Sequence, residues 1–151
     1  MVSLNFEDER IEFTPVIHFI DYINLVHDNF LKENFKNITP RDFTYLSNIF
    51  YHSNISQKEL AEILFVSESN VAQIVKRLEK NGYIVRETDD KNKSRKILNL
   101  TNDGRLLLFS LLKLIFEFEG KFFEKYADEE VKKFKKMLYD YCEMAINGNN
   151  I

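Results

Sequence analysis

The sequence predicts a mainly α-helical fold with one small β-hairpin, and three observations lead to this expectation. Apolar residues recur at three- and four-residue spacing along most of the chain, which is the period of amphipathic helices. After Gly82 the period changes to two, as in strands with one buried face. The length of 151 residues suits a single domain with its own core, so residues 1–151 are expected to form one domain.

Two Thr-Pro dipeptides predict where the first two helices begin. A threonine N-cap followed by proline at the first helical position is favourable, because proline has no amide hydrogen to leave unpaired there. We therefore expect a long helix from Pro15 to about Glu33 and a shorter helix from Pro40 to about His52.

The next segment predicts two short helices joined by a tight turn. Ser56-Gln57-Lys58-Glu59 is a capping box, in which Ser56 caps the helix and Glu59 accepts the Ser56 amide. Ser67 caps the second helix, and Asn81-Gly82 is a common helix stop. One face of this second helix is apolar. The opposite face is polar and net positive, with Ser69, Asn70, Gln73, Lys76, Arg77 and Lys80.

The period-two segments after Gly82 predict a loose hairpin with a charged tip. Residues 83–86 and 96–100 are the expected strands, and residues 89–94 between them have no compact turn signature. A further helix opens at residues 101–104 and is dense in Leu and Phe, with Gly120 as a candidate kink. The last helix is expected from about Asp128 to Ile146.

Composition and motifs exclude several classes of protein. One cysteine allows no intramolecular disulfide, and the acidic N-terminus lacks the pattern of a signal peptide. Because no apolar stretch is long enough to span a bilayer, we expect a cytoplasmic protein without a membrane partner. The sequence has no catalytic triad order, Gly-rich phosphate loop or cysteine cluster, so neither enzymatic activity nor a cofactor is expected.

The net charge of −3 conceals a locally basic segment. Residues 55–105 carry ten Lys or Arg against eight Asp or Glu, whereas the rest of the chain carries eleven against sixteen. Only the docking face of a DNA-binding protein needs to be positive, so this distribution is compatible with double-stranded DNA as a partner.

Two helices joined by a tight turn and followed by a hairpin make a winged helix-turn-helix, whose second helix fits the major groove of DNA. Residues 55–104 resemble the core of the MarR family (multiple antibiotic resistance regulators). The matching positions are Leu60-Ala61, Val66-Ser67, Val71, Leu78-Glu79, Gly82-Tyr83-Ile84, Arg86, Leu100-Thr101 and Gly104.

This resemblance implies a transcription regulator, which we expect to be a repressor, that binds a pseudo-palindromic operator as a homodimer. The winged helix-turn-helix DNA-binding lobe is expected at 40–104, and long N- and C-terminal dimerisation helices at 1–35 and 105–151. The terminal helices are more apolar than one small lobe requires. The residues expected in the dimer contact are Phe19, Ile20, Leu111, Ile115, Leu138 and Tyr141.

The resemblance also implies which residues contact DNA. Ser69, Asn70 and Gln73 are expected at base edges, and the start of the preceding helix and the tip of the hairpin, or wing, at phosphates and the minor groove. The complete expected set is Ser56, Gln57, Lys58, Ser67, Ser69, Asn70, Gln73, Lys76, Arg77, Arg86, Lys91, Lys93 and Arg95.

Two positions depart from the family pattern. The wing usually carries Asp-x-Arg before its second strand, where this chain has Asn92 and Ser94, and Arg95 lies one residue later. The wing contact is therefore expected to move to Arg95 or to weaken. Gln73 stands where many members have arginine, which implies a different target sequence or a lower affinity.

Other candidate sites have plainer alternatives. The resemblance implies a small-molecule effector that binds between the dimerisation helices and the DNA-binding lobe. His18, Tyr22 and Tyr45 are candidates to line its pocket, although an aromatic stripe is more often part of the core. Cys142 is a candidate redox sensor, but a lone cysteine is more often an inert apolar residue. The three histidines do not have the spacing of a metal site, so no metal is expected.

A second function also fits the pattern, namely a winged helix that contacts other proteins and that its acidic charge keeps off DNA. This alternative would be favoured if nearby carboxylates neutralised the positive charges of the predicted DNA-binding surface. The cations in question are Lys58, Lys76, Arg77, Lys93 and Arg95, and the candidate partners are Glu59, Glu62, Glu68 and Asp90.

Overall fold

The computed structural model describes residues 8–148, and these form seven helices and one two-stranded antiparallel sheet. The predicted fold class, mainly helical with a small hairpin wing, is confirmed. The elements in chain order are α1 (Asp8–Phe13), α2 (Val16–Asn34), α3 (Pro40–Tyr51), α4 (Gln57–Ile63), α5 (Glu68–Lys80), β1 (Ile84–Thr88), β2 (Lys96–Leu100), α6 (Asn102–Phe123) and α7 (Asp128–Asn147). Within residues 8–148, none of the helices is long and apolar enough to cross a bilayer.

The chain divides into two compact units, with the boundary inside α6 between Leu108 and Phe109. The first unit contains the segment predicted to be the DNA-binding lobe. In this unit α4 packs on α5, α5 packs on β1, and both α3 and α4 contact β2. Side chains from all of these elements are fully buried, including Leu46, Leu60, Leu78, Ile84 and Leu98.

Three of the predicted helix caps are confirmed. The Ser56 hydroxyl accepts the Glu59 amide at 3.2 Å, and the Glu59 carboxylate accepts the Ser56 amide at 2.8 Å. Ser67 accepts the Asn70 amide at 3.3 Å at the start of α5. Thr39 caps α3 in a second capping box, whose other member is Asp42. These local hydrogen bonds place the first turns of α3, α4 and α5.

The predicted cap at Thr14 is wrong. The Thr14 hydroxyl donates to the Arg10 carbonyl at 2.5 Å, so it belongs to the end of α1, a helix that the periodicity did not predict. Pro15 occupies the N-cap of α2 without a side-chain hydrogen bond. Helix α6 continues past Gly120 to Phe123, so this glycine does not end the helix, and a kink there stays a prediction.

The wing is longer on its first strand than predicted. β1 pairs with β2 in a register that sets Ile84 opposite Leu100 and extends to Thr88 opposite Lys96. The Lys96 ammonium donates to the Thr88 hydroxyl at 2.5 Å and supports this extension. The Leu98 amide donates to the Ile55 carbonyl at 2.8 Å, so the middle of β2 is attached to the residue that precedes the Ser56 cap of α4.

A close approach of two backbones joins the end of α5 to the start of α6. Gly82 adopts φ 80°, a left-handed conformation that glycine accepts without strain, and ends α5. A Cβ atom on Gly104 would lie 2.0 Å from the Tyr83 carbonyl oxygen. Thr101 completes the joint, because its amide donates to the Tyr83 carbonyl at 3.1 Å and its hydroxyl to the Gly82 carbonyl at 2.5 Å.

The second unit contains most of α6 and all of α7, and aromatic side chains hold its helices together. The Phe123 ring lies 6.0 Å from the Phe134 ring and 5.1 Å from the Phe122 ring. No side chain of α7 is buried. Large apolar side chains of this unit are exposed, among them Phe116, Phe118, Phe122, Phe134, Met137 and Met144.

Candidate nucleic-acid interface

Helix α5 separates an apolar face from a polar one, as predicted. Val71, Val75 and Leu78 are fully buried, whereas Gln73 and Lys76 on the opposite side are exposed. Ser67 and Ser69 are also exposed, and their hydroxyl oxygens lie 3.0 Å apart. An exposed helix face with hydroxyl, amide and ammonium groups has the chemistry that hydrogen-bonds base edges and phosphates.

At the start of α4 the three predicted residues differ in availability. The Ser56 hydroxyl is used in the helix cap, and Gln57 is half-buried. Lys58 is exposed, and among residues 8–148 it has no ion pair within 4.0 Å. Lys58 is therefore the side chain of this turn that remains free to approach a phosphate.

Arg77 has an intramolecular partner that the sequence did not reveal. Its guanidinium donates to the Asp42 carboxylate on α3, which lies 35 residues earlier in the chain. Asp42 is 2% exposed, and it is the buried charged residue of the described core. Contact of Arg77 with DNA stays a prediction, and the geometry gives this side chain a structural role.

Arg95 is held by three acceptors where the wing strands end and the tip begins. Its guanidinium contacts the Asp89 carboxylate at 2.7 Å, the Glu59 carboxylate at 2.5 Å and the Asn54 carbonyl at 3.0 Å. We call Arg95, Asp89 and Glu59 the Arg95 cluster. Because Glu59 also caps α4, the cluster ties the wing to the start of that helix. The side chain predicted to take over the wing contact with DNA is thus bonded to the protein itself.

Hydrogen bonds to the members of the Arg95 cluster shift their pKa values. The Ser56 amide, followed by the Arg95 guanidinium, lowers the pKa of Glu59 to about 2. Hydrogen bonds from Arg95 and from the Lys91 amide hold the pKa of Asp89 below its ordinary value. The same two carboxylates, Asp89 first, raise the pKa of Arg95. All three groups therefore remain charged near neutral pH.

Replacing Glu59 with glutamine is expected to reduce the stability lost on acidification. A carboxylate with a lowered pKa stabilises the fold above its ordinary pKa of 4.5, and this contribution is lost as the pH falls towards 2. Because 47% of the Glu59 side chain is exposed, the contribution is on the order of 1 kcal/mol, well below what the shift alone would give.

Urea unfolding at pH 6 and at pH 2.5 measures this effect. The free energy of unfolding should fall between the two conditions by about 1 kcal/mol less in the Glu59→Gln variant than in the wild type. Glu62→Gln, an exposed position on the same helix, is the matched control and should behave as the wild type. Equal pH dependence in all three proteins would contradict the role given to Glu59.

The tip of the wing consists of two consecutive turns. Asp89 accepts the Lys91 amide at 2.8 Å, and the Asn92 side chain accepts the Ser94 amide at 3.1 Å and its hydroxyl at 2.7 Å. Asn92 and Ser94, which stand where the family has Asp-x-Arg, therefore bond to each other. Side-chain-capped turns of this kind are typical of Asp and Asn, so these residues were the sequence signal for the ordered tip.

The remaining cations of the predicted set are exposed. Lys93 lies 3.5 Å from Asp90, and both side chains are largely in solvent, where such a pair contributes little. Arg86 pairs with Glu79 at 3.2 Å, which connects β1 to α5. Lys91 is exposed at the tip.

Cancellation of the basic face, the criterion for the protein-interaction alternative, is partial. Of the five cations in question, Arg95 and Lys93 pair with predicted partners and Arg77 pairs with Asp42. Lys58 and Lys76 have no ion pair within 4.0 Å in the described part of the chain.

The three residues predicted to line an effector pocket lie in different surroundings. His18 and Tyr22 are exposed on α2 with their rings 5.1 Å apart. Tyr45 is buried, and this burial raises its pKa. It lines a cavity of about 290 Å³ whose other members are Asp28, Pro40, Arg41, Thr44, Leu64 and Val66.

The residues predicted at a dimer contact differ in the surface that they offer. Phe19, Ile20, Ile115, Leu138 and Tyr141 are partly exposed. Leu111 is an exception, because it is fully buried within one chain and presents no surface to a second. Cys142 is exposed on α7.

Comparison with known proteins places this geometry in a family. The pattern of the MarR family matches residues 38–95. An HTH-type transcriptional regulator of Bacillus cereus is 34% identical over 125 residues, which cover 83% of this chain and 80% of that protein. A crystal structure of MarR superposes with a TM-score of 0.78 at 28% identity and covers 91% of this chain and 95% of that one.

The MepR–DNA complex of S. aureus shares the fold, with a TM-score of 0.67 at 22% identity over 89% of this chain and 98% of that one. The identity to the Bacillus cereus protein extends well beyond the winged helix and includes most of both chains. The chain therefore belongs to the MarR family of winged helix-turn-helix transcription regulators, which bind DNA and are not enzymes.

Proposed function

We propose that this protein is a homodimer that binds a two-fold symmetric operator and represses transcription there. The observation that carries the proposal is the exposed polar face of α5, opposite a fully buried apolar face. A helix that is anchored on one side and polar on the other can enter the major groove without loss of core packing. A dimer would place two such helices about 34 Å apart, one helical turn of DNA.

Exposed apolar surface on the terminal helices supports the homodimer. In α2 this surface includes Ile17, Ile23 and Leu25, each more than half exposed, and in α7 every side chain is at least partly exposed. Apolar patches of this kind on a single chain are typical of an interface. Sedimentation equilibrium at micromolar concentration should give the mass of a dimer, and the mass of a monomer would contradict the proposal.

Within this dimer we divide the predicted DNA residues by their contacts in the free protein. Ser69, Asn70 and Gln73 would hydrogen-bond base edges. Lys58, Lys76, Lys91 and Lys93 would contact phosphates, because their ammonium groups are exposed and weakly paired or unpaired among the described residues. Arg77, Arg86 and Arg95 would instead hold the fold, since each bonds to a carboxylate.

Repression, action in the cytoplasm and release by an effector complete the proposal. A dimer on an operator excludes other proteins from that DNA, and the DNA lies in the cytoplasm of a bacterial cell.

The cavity beside Tyr45 supports the proposal that an effector releases the protein from DNA. Its volume of about 290 Å³ is near the lower end for small-molecule pockets.

Selection from a pool of random duplexes tests the function. The protein should retain a two-fold symmetric motif with half-sites one turn apart, and its affinity should fall between 50 and 200 mM salt as counterions are released, by about 10³-fold if six phosphates are contacted. Absence of any retained duplex at either salt concentration would contradict operator binding and favour the protein-interaction alternative.

Replacing Gln73 with alanine is expected to remove the preference for one base pair in each half-site. Glutamine forms two hydrogen bonds with adenine in the major groove, and such a contact discriminates by about 1–3 kcal/mol. Repeating the selection with the Gln73→Ala protein measures the loss. Lys76→Ala, on the same exposed face, should weaken all sequences alike. An unchanged motif in the Gln73→Ala selection would show that this side chain does not contact a base.

A further inference from the structure

We propose that Asp42 and Arg77 are positioning residues for DNA recognition. Their ion pair fixes α5, the recognition helix, on α3, so that Arg77 supports DNA binding by holding this helix and not by contact with DNA. The inference rests on the proposed function, because it assigns a different role in DNA binding to one of the residues that family resemblance places at the DNA.

Asp42 occupies a position from which its charge cannot reach water. It is the third residue of α3, its side chain is 3% exposed, and one carboxylate oxygen accepts the Thr39 amide at 2.9 Å in the helix cap. The other oxygen accepts the Arg77 guanidinium. A buried carboxylate needs a charged partner, and in the described part of the chain Arg77 supplies it.

The pair adds a polar link between α5 and α3. The helix packs on α4 and on β1, and the ion pair connects its C-terminal half to a third element, α3. Because base contacts depend on placement to within about 0.5 Å, an added polar attachment helps to place the helix. α3 in turn is held against β2.

Contact of Arg77 with a phosphate would disrupt this arrangement. If the guanidinium turned its Asp42-bonded nitrogen towards DNA, the carboxylate would remain buried without a partner. Loss of a buried ion pair by removal of one member is strongly unfavourable, so we expect the pair with Asp42 to persist in the DNA complex. The Arg77 side chain is therefore partly exposed at the protein surface, and its charge compensates the buried Asp42 carboxylate.

Four variants separate positioning from direct contact. Arg77→Met removes the cation and keeps the apolar stem, and Asp42→Asn removes the anion and keeps an acceptor for the Thr39 amide. The double variant leaves neither charge unpaired, so it is expected to fold even where a single variant is destabilised. Lys76→Met changes the neighbouring exposed cation and is the matched control.

Affinity for the selected operator, measured by fluorescence anisotropy over a range of salt concentrations, is the first readout. Each single variant at the ion pair should bind about tenfold more weakly with an unchanged salt dependence, and the double variant should bind no more weakly than either. Lys76→Met should reduce the slope of log K against log salt by about one. A slope reduced by one in Arg77→Met, with normal affinity in Asp42→Asn, would overturn the inference.

The second readout does not involve DNA. Urea unfolding of the same variants forms a double-mutant cycle, and amide hydrogen exchange in α5 reports how firmly the helix is held. We expect strong coupling between positions 42 and 77 and faster exchange in both single variants. Additive effects with unchanged exchange would overturn the inference even if the operator is found. A wild-type protein that binds no duplex would overturn the proposed function. The double-mutant cycle would still test whether Asp42 and Arg77 together hold α5 in place.

Discussion

Replacing Gly104 with alanine is expected to destabilise the protein by about 3 kcal/mol and to lower Tm by roughly 6–12 °C. The added Cβ would lie 2.0 Å from the Tyr83 carbonyl oxygen, a distance that no relaxation of a side chain can relieve. The Tyr83 backbone cannot move freely, because its carbonyl accepts the Thr101 amide and its amide donates to Leu78 at 2.9 Å. The strain therefore falls on the joint between α5 and α6.

Gly120→Ala is the matched control for this change. Gly120 lies in the same helix, and a Cβ there meets no atom within 4 Å. Alanine should stabilise that position by about 0.5–1 kcal/mol, since glycine is unfavourable in a helix interior. Thermal unfolding of both variants at one protein concentration gives the comparison. If Gly104→Ala melted at or above the temperature of the wild type, the close approach to Tyr83 would not constrain the fold.

Removing the charges of Lys76, Lys91 and Lys93 together, each by substitution with glutamine, is expected to change the salt dependence of DNA binding. If each ammonium contacts one phosphate, the slope of log K against log salt should decrease by about 2.7. Between 50 and 200 mM salt this corresponds to about 40-fold less loss of affinity than in the wild type. The preferred operator sequence should not change, because phosphates carry no base identity.

A second triple variant, with Lys121, Lys125 and Lys132 changed to glutamine, controls for net charge. It has the same overall charge as the first, but these lysines lie on or between α6 and α7, outside the predicted DNA set. Its slope should match that of the wild type in anisotropy titrations. Equal slopes in the two triple variants would mean that the wing tip and α5 do not contact phosphates.

Local signals in the sequence were sufficient for the main architecture. Ser56 and Ser67 determine where α4 and α5 begin through hydrogen bonds to amides three residues later, so a short stretch of sequence contains the whole interaction. The apolar stripe of α5 and the change of period at the wing are local in the same sense. For this reason the order of elements and the polar face of the recognition helix were predictable.

The pairs that decide which cations are free were not predictable in this way. Arg77 meets Asp42 across 35 residues and Arg95 meets Glu59 across 36, and periodicity carries no information about such separations. The Thr39-Pro-x-Asp42 pattern does signal a capping box, but the cap alone does not reveal that the carboxylate is buried against α5. The requirement for glycine at position 104 likewise appears only in the folded structure, where this residue lies against the Tyr83 backbone.

The exposed aromatic and aliphatic side chains of α7 have a consequence for the supply of active regulator. If the second chain of the proposed dimer provides the cover that these side chains lack, folding of the terminal helices and association become one equilibrium, and Tm rises with protein concentration. A newly made chain without a partner would display its apolar helix to chaperones and proteases. At chain concentrations too low for dimerisation, new chains would then be degraded instead of forming repressor. The concentration of functional dimer would therefore rise more than proportionally with the level of gene expression.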